Sequence, residues 1–111
     1  MIKKSRKKPS GITSVYLLSY NNIELYIGMS KDPLKRLKQH QYSLNKGDLK
    51  PLYNHLRESG ITILDLDLSI LKTFKTRVQA KRYECYILLK QYFENDFEMI
   101  TFNKIPNISD R

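Results

Sequence analysis

The chain has 111 residues, one domain's worth, and 41% of them are hydrophobic, enough to fold a compact core; this argues against a multidomain machine and against a wholly disordered tail. Lys and Arg number 20 against 11 Asp and Glu, a formal charge of +9, so the expected partner is a polyanion such as nucleic acid, with a merely solvated basic surface as the plain alternative. The single cysteine, Cys85, precludes an internal disulfide, and together with His40 and His55 it offers no recognisable zinc spacing.

Much of the charge sits at the start. Lys3, Lys4, Arg6, Lys7 and Lys8 carry no acid among them, and Pro9-Ser10-Gly11 then breaks the chain, so residues 1–10 read as a flexible basic arm and 11–111 as the folded domain. Short runs of this kind serve as nucleic-acid contacts, nuclear addresses or anionic-membrane patches, and the pattern does not choose among them. No apolar run approaches the ~20 residues that cross a bilayer, and Pro9 and polar residues follow the basic start where a signal peptide would be apolar. No membrane partner is expected, and the setting reads as intracellular, in a cytoplasm or a nucleus.

Two β-rich runs, residues 14–20 and 23–28, flank Asn21-Asn22 and read as a hairpin, because asparagine tolerates the positive φ of a two-residue primed turn. Asp32 is then a good N-cap and Pro33 a good first helical residue, with Leu34, Leu37, Gln41 and Leu44 at helical spacing behind them. A second, shorter helix starts at Pro51, carries Leu52, Tyr53 and Leu56, and stops at Gly60. Residues 61–71 alternate Leu64, Leu66, Leu68 and Ile70 with Asp65, Asp67 and Ser69, which predicts a third strand with one face covered. Thr76 followed by Gln79 predicts the start of a long last helix running to about Phe93, and the final dozen residues look irregular. The order is β-β-α-α-β-α.

A few residues stand out against this framework. Arg36 and His40 are four apart and project from one face of the first helix, either as a functional basic pair or as part of a solvated polar face with Lys35, Lys38 and Gln39. Glu84 lies on the stripe of Ala80, Tyr83, Ile87 and Leu88, and a core-facing carboxylate needs either a paired Lys or Arg or a bound cation. Its neighbour Cys85 reads as a small packing residue, and Tyr83, Tyr86 and Tyr92 as core or flank. No Walker loop, Rossmann fingerprint, Ser/His/Asp arrangement or His-Glu-x-x-His helix is present.

Ser14-Val15-Tyr16 in the first strand, Tyr26-Ile27-Gly28 in the second, Arg36 ten residues after Tyr26, His40 one turn later, Glu84 in a later helix and Asn103 near the end form an ordered set that resembles the GIY-YIG nuclease superfamily, over about residues 12–104. The resemblance implies an α+β fold, a three-stranded antiparallel sheet flanked by helices, carrying a metal-dependent phosphodiesterase site. It implies Tyr16 and Tyr26 as the motif tyrosines, Arg36 as the phosphate-binding arginine, His40 as the accompanying histidine, Glu84 as the metal ligand for one Mg²⁺ or Mn²⁺, and Asn103 as the C-terminal polar position. Two departures stand: the first tripeptide is Ser-Val-Tyr for Gly-Ile-Tyr, and Met29 follows Gly28 in a stretch where some members carry a lysine, leaving Lys31 as its substitute.

The function this implies is a divalent-metal-dependent DNA endonuclease, structure-selective or weakly sequence-specific. The partner would be double-stranded or branched DNA, and cutting two strands would call for a homodimer or a partner protein. Lys31, Lys35, Arg36, Lys38, Asn103 and the arm residues Lys3, Lys4, Arg6, Lys7 and Lys8 are the expected nucleic-acid contacts. The alternatives are a nucleic-acid-binding module of the same fold that does not cut, and a basic structural protein indifferent to divalent cations.

Overall fold

The computed structural model describes residues 12–106; the basic arm expected at residues 1–10 lies outside them. Strands β1 (Thr13–Tyr20) and β2 (Ile23–Ser30) pair antiparallel through the expected turn, with Asn21 and Asn22 at φ 51° and 65°. Asparagine bears this left-handed pair because its short polar side chain bonds locally. Helix α1 (Pro33–Lys46) starts where Asp32 accepts a hydrogen bond from the Lys35 amide at 3.2 Å, and α2 (Pro51–Ser59) ends at Gly60, φ 69°. Strand β3 (Asp67–Phe74) pairs antiparallel with β1, giving the sheet order β2-β1-β3, and α3 (Arg77–Glu94) starts where Thr76 Oγ1 accepts from the Gln79 amide at 3.2 Å. The fold is α+β in the expected β-β-α-α-β-α order.

The third strand begins later than its leucine alternation predicts. Thr62 and Asp65 form a reciprocal capping box, which winds Ile63–Asp65 into one turn of 3-10 helix. That turn buries Ile63 with Leu25, Leu44, Leu52, Tyr53 and Leu56 and turns Leu64 out to 90% exposure. Nor does β3 have a covered face. It is an edge strand, and the register slips between Val15 and Tyr16, whose partners are Lys72 and Ile70, so Leu71 is an extra residue that breaks the alternation and leaves Ile70 and Leu71 exposed.

Two apolar clusters hold the sheet. One joins Leu25 to α1 and α2; the other joins Val15 and Ile27 to Ala80 and Leu88 of α3. The other edge of the sheet, β2, is closed by the irregular C-terminal segment. The Phe102 amide donates to the Leu25 carbonyl at 2.8 Å, and Phe102 stacks on His55 with ring centroids 4.7 Å apart. Asn103 completes the closure with both ends of its amide: Oδ1 accepts from the Ile27 amide at 2.9 Å and Nδ2 donates to the Ile27 carbonyl at 2.7 Å. A side chain here does the work of a fourth strand's backbone, satisfying an edge that would otherwise invite pairing with another chain.

Asn103→Ala should therefore leave two backbone groups of β2 without partners and cost about 1–3 kcal/mol. Urea unfolding would measure the loss, and hydrogen exchange should show the Ile27 amide losing protection ahead of the β1–β3 amides.

Candidate active site

The pairing register builds the site. Tyr16 lies directly opposite Gly28, and Tyr26, two residues before Gly28, shares that face because side chains alternate along a strand. The Tyr16 phenol then extends across β2 over Gly28. A Cβ on Gly28 would stand 2.5 Å from Tyr16 Oη, 2.6 Å from its Cζ and 2.9 Å from Tyr26 Cε2, all inside van der Waals contact. Gly28 is thus required at mid-strand by a side chain crossing over it, not, as its place in the motif first suggests, by the strand ending there; β2 continues to Ser30.

Helix α1 brings His40 onto this phenol. Tyr16 Oη lies 3.0 Å from His40 Nε2, and His40 Nδ1 lies 2.7 Å from Tyr53 Oη on α2. The ring of Tyr26 meets His40 edge-on, with centroids 5.5 Å apart. His40 is only 2% exposed, so it does not form the solvated basic pair with Arg36 that its spacing allows. Burial, helped by the charges of Arg36 and Lys50, pushes its imidazole down to about 4. It is neutral at physiological pH, with one N–H to share between two phenols.

The tyrosines are held neutral as well. Burial, with Tyr26 adding to it, raises the Tyr16 phenol well above its ordinary value, against the lowering influence of Arg36. For Tyr26 burial comes first and the Glu84 charge second, again opposed by Arg36. Arg36 donates from one guanidinium nitrogen to Gln39 Oε1 at 3.0 Å and lines the cleft.

These groups open into a cleft of ≈ 410 Å³ reached by β2, α1, α2, α3 and the C-terminal segment. Tyr26, Arg36, His40 and Glu84 all line it, and with Tyr16 behind His40 the five residues singled out as catalytic come together. Glu84 is 8% exposed and its Oε1 accepts from Lys81 Nζ at 3.1 Å, so the carboxylate has the salt bridge that its apolar stripe called for. Among the described residues that line the cleft Glu84 is the only acid, while Arg36, Lys50, Lys81 and Lys104 supply four cations. No group of three or more His, Cys, Asp or Glu side chains able to hold a metal occurs among the described residues. Any metal here would take Glu84 as its carboxylate and complete its shell from water and substrate oxygen, which suits a hard cation that keeps its hydration, such as Mg²⁺.

The expected nucleic-acid contacts divide. Lys31, Lys35 and Lys38 are exposed and do not line the cleft, and Asn103 lines it with its amide engaged on Ile27. Lys50, Lys81, Lys104 and Tyr53 were missed. Only Lys81 left a local trace, three residues before Glu84 on the same helix.

A family model described as the GIY-YIG catalytic domain matches residues 12–95. The chain belongs to that family. The match takes in Tyr16, Tyr26, Arg36, His40 and Glu84 and stops short of Asn103. Neither the curated proteins nor the solved structures give a match. As a GIY-YIG catalytic domain the chain has a nuclease-type function, and no helix among its described residues is long and apolar enough to cross a membrane.

The buried neutral His40 makes stability depend on pH. The unfolded histidine titrates near its ordinary 6.5 and the folded one at about 4. In that window the unfolded chain binds a proton that the folded chain refuses, so this contribution is fully present above about pH 6.5 and is lost as pH falls toward 4. The drop in unfolding free energy between pH 7.5 and pH 5 should be smaller in His40→Gln than in wild type, by about 2 kcal/mol. Urea denaturation of both proteins at the two pH values measures it, and equal drops would show that His40 is not held neutral.

Proposed function

We propose that this domain is a divalent-metal-dependent DNA endonuclease that hydrolyses one phosphodiester bond per catalytic cycle. The observation that carries the reading is the meeting, in one cleft, of Tyr26, Arg36, His40 and Glu84, with Tyr16 bonded to His40 behind them. Four cations around a single carboxylate suit a substrate that brings its own negative charge.

In this reading Arg36 presents its planar, permanently charged fork to the non-bridging phosphate oxygens and stabilises the charge that builds on them in the transition state. Lys50, Lys81 and Lys104 hold the flanking backbone. Glu84 would hold the Mg²⁺ or Mn²⁺ ion, which would supply positive charge to offset the negative charge of the leaving oxygen. Lys81 must then share the carboxylate or release it; at 60% side-chain exposure it is free to swing toward a phosphate. Tyr16, hydrogen-bonded to His40 Nε2, is the candidate for taking the proton of the attacking water. Lys31, Lys35 and Lys38, which do not line the cleft, would contact the duplex at a distance from the cut, and the arm cations Lys3, Lys4, Arg6, Lys7 and Lys8 would add further contacts. Selectivity for DNA structure, or a weak sequence preference, is the corresponding proposal for this domain, since specific readout typically buries ~1,000 Å² or more. Its setting would be intracellular, and a second copy or a partner protein would serve to cut the second strand.

The Lys81–Glu84 ion pair is the one observation favouring the second reading, a module that binds nucleic acid without cutting, because it gives the carboxylate a partner in the absence of metal. Cleavage of supercoiled plasmid and of a labelled branched duplex separates the two. Wild type with Mg²⁺ or Mn²⁺ should cut, excess EDTA should stop it, and Glu84→Ala should lose at least about 100-fold in rate while still binding. Cutting by Glu84→Ala at the wild-type rate would sink the nuclease assignment of Glu84, and binding without cutting by wild type would favour the binding module.

A further inference from the structure

Tyr53 is 5% exposed, lies on α2 outside the family's motif residues, and places its hydroxyl 2.7 Å from His40 Nδ1. The same imidazole meets Tyr16 Oη 3.0 Å from Nε2, so the ring is clamped between two buried phenols. A neutral histidine has one N–H, and each of the two bonds needs one proton, so the chain has two directions. In one, Tyr16 donates to Nε2 and Nδ1–H donates to Tyr53. In the other, Tyr53 donates to Nδ1 and Nε2–H donates to Tyr16.

Only the first direction is productive for a Tyr16 that takes a proton from water. There the Tyr16 proton already points at Nε2, and the proton it gains is balanced by the one it hands on. In the reverse direction Nε2 carries the hydrogen and donates it to Tyr16, so the Tyr16 proton has no acceptor on His40. Tyr53 can complete the first direction, because its oxygen, 2.7 Å from Nδ1, is placed to accept Nδ1–H.

We propose that Tyr53 is a positioning residue of this nuclease site, holding His40 in the Nδ1–H tautomer so that Nε2 receives the Tyr16 proton. The proposal rests on the nuclease reading above. The step balances: a water O–H bond breaks as its proton passes to Tyr16 Oη, the Tyr16 O–H bond breaks as that proton passes to His40 Nε2, the water oxygen bonds to phosphorus, and the bond from phosphorus to the 3′ oxygen breaks with its electron pair leaving on that oxygen, which takes a proton from solvent. The imidazolium so formed donates Nδ1–H to Tyr53 and then gives its Nε2 proton back to Tyr16, which releases its own to solvent. Because the ring is buried beside Arg36 and Lys50, a positively charged His40 without the Tyr53 oxygen would have an unpaired donor in an apolar setting.

The test uses the full chain with Tyr53→Phe, which keeps the ring and removes one oxygen, and reads two quantities. Long-range ¹H–¹⁵N spectra of the histidine rings report the tautomer without turnover, and plasmid cleavage at saturating Mg²⁺ separates kcat from KM. Wild type should show His40 protonated at Nδ1, and Tyr53→Phe should lose that signature and roughly tenfold or more in kcat with KM for DNA unchanged. A wild-type His40 protonated at Nε2 overturns the proposal, and so does a Tyr53→Phe protein that keeps the Nδ1–H signature and the wild-type kcat. A wild type that shows the Nδ1–H signature but cuts nothing contradicts the nuclease reading instead, so the two failures are distinguishable.

Discussion

The site depends on a space where a side chain is missing. Antiparallel pairing sets Tyr16 against Gly28, and the phenol occupies the volume that any Cβ on Gly28 would fill. From that position Tyr16 Oη meets His40, and His40 in turn meets Tyr53, so the hairpin, α1 and α2 are locked together by two polar contacts inside an otherwise apolar region. Removing the space would move the phenol, and everything hydrogen-bonded behind it would have to move or lose its partner. In a close-packed interior neither is cheap.

Around this fixed centre the charges fall into two groups. Inside, three phenols and an imidazole are kept neutral by burial, which turns them into donors and acceptors rather than ions. At the cleft, four cations face one carboxylate, a balance that a bound polyanion would complete and that Lys81 meanwhile answers locally at Glu84. In the proposed function, neutral hydrogen-bonding groups behind a cationic mouth would let the domain attract phosphate without holding the phosphate's charge in its interior.

Where the chain's local chemistry decides the structure, the sequence was readable. Asn21-Asn22 marked the hairpin, Asp32-Pro33 the start of α1, Gly60 the end of α2 and Thr76 the start of α3, each through a turn or cap whose chemistry is contained in a few adjacent residues. The third strand was misplaced because the Thr62–Asp65 box overrode a leucine alternation that a strand would share. The motif residues of the cleft were legible through their order along the chain. Tyr53, Lys50 and Lys104 were not, since their places follow from how α2 and the C-terminal segment pack, and nothing within a few residues of them records that. Asn103 was read as facing a ligand, and the structure shows its amide bound to the edge of β2, a use that depends on a strand 76 residues away.

The central claim is that the open face at Gly28 is what lets Tyr16 engage His40 and so completes the nuclease site. Gly28→Ala tests it most directly, with supercoiled-plasmid cleavage and DNA affinity measured on the same folded sample. The account predicts a folded protein that binds DNA close to the wild-type level and has lost about 100-fold or more of its cleavage rate. Cleavage at the wild-type rate by a folded Gly28→Ala protein would contradict it.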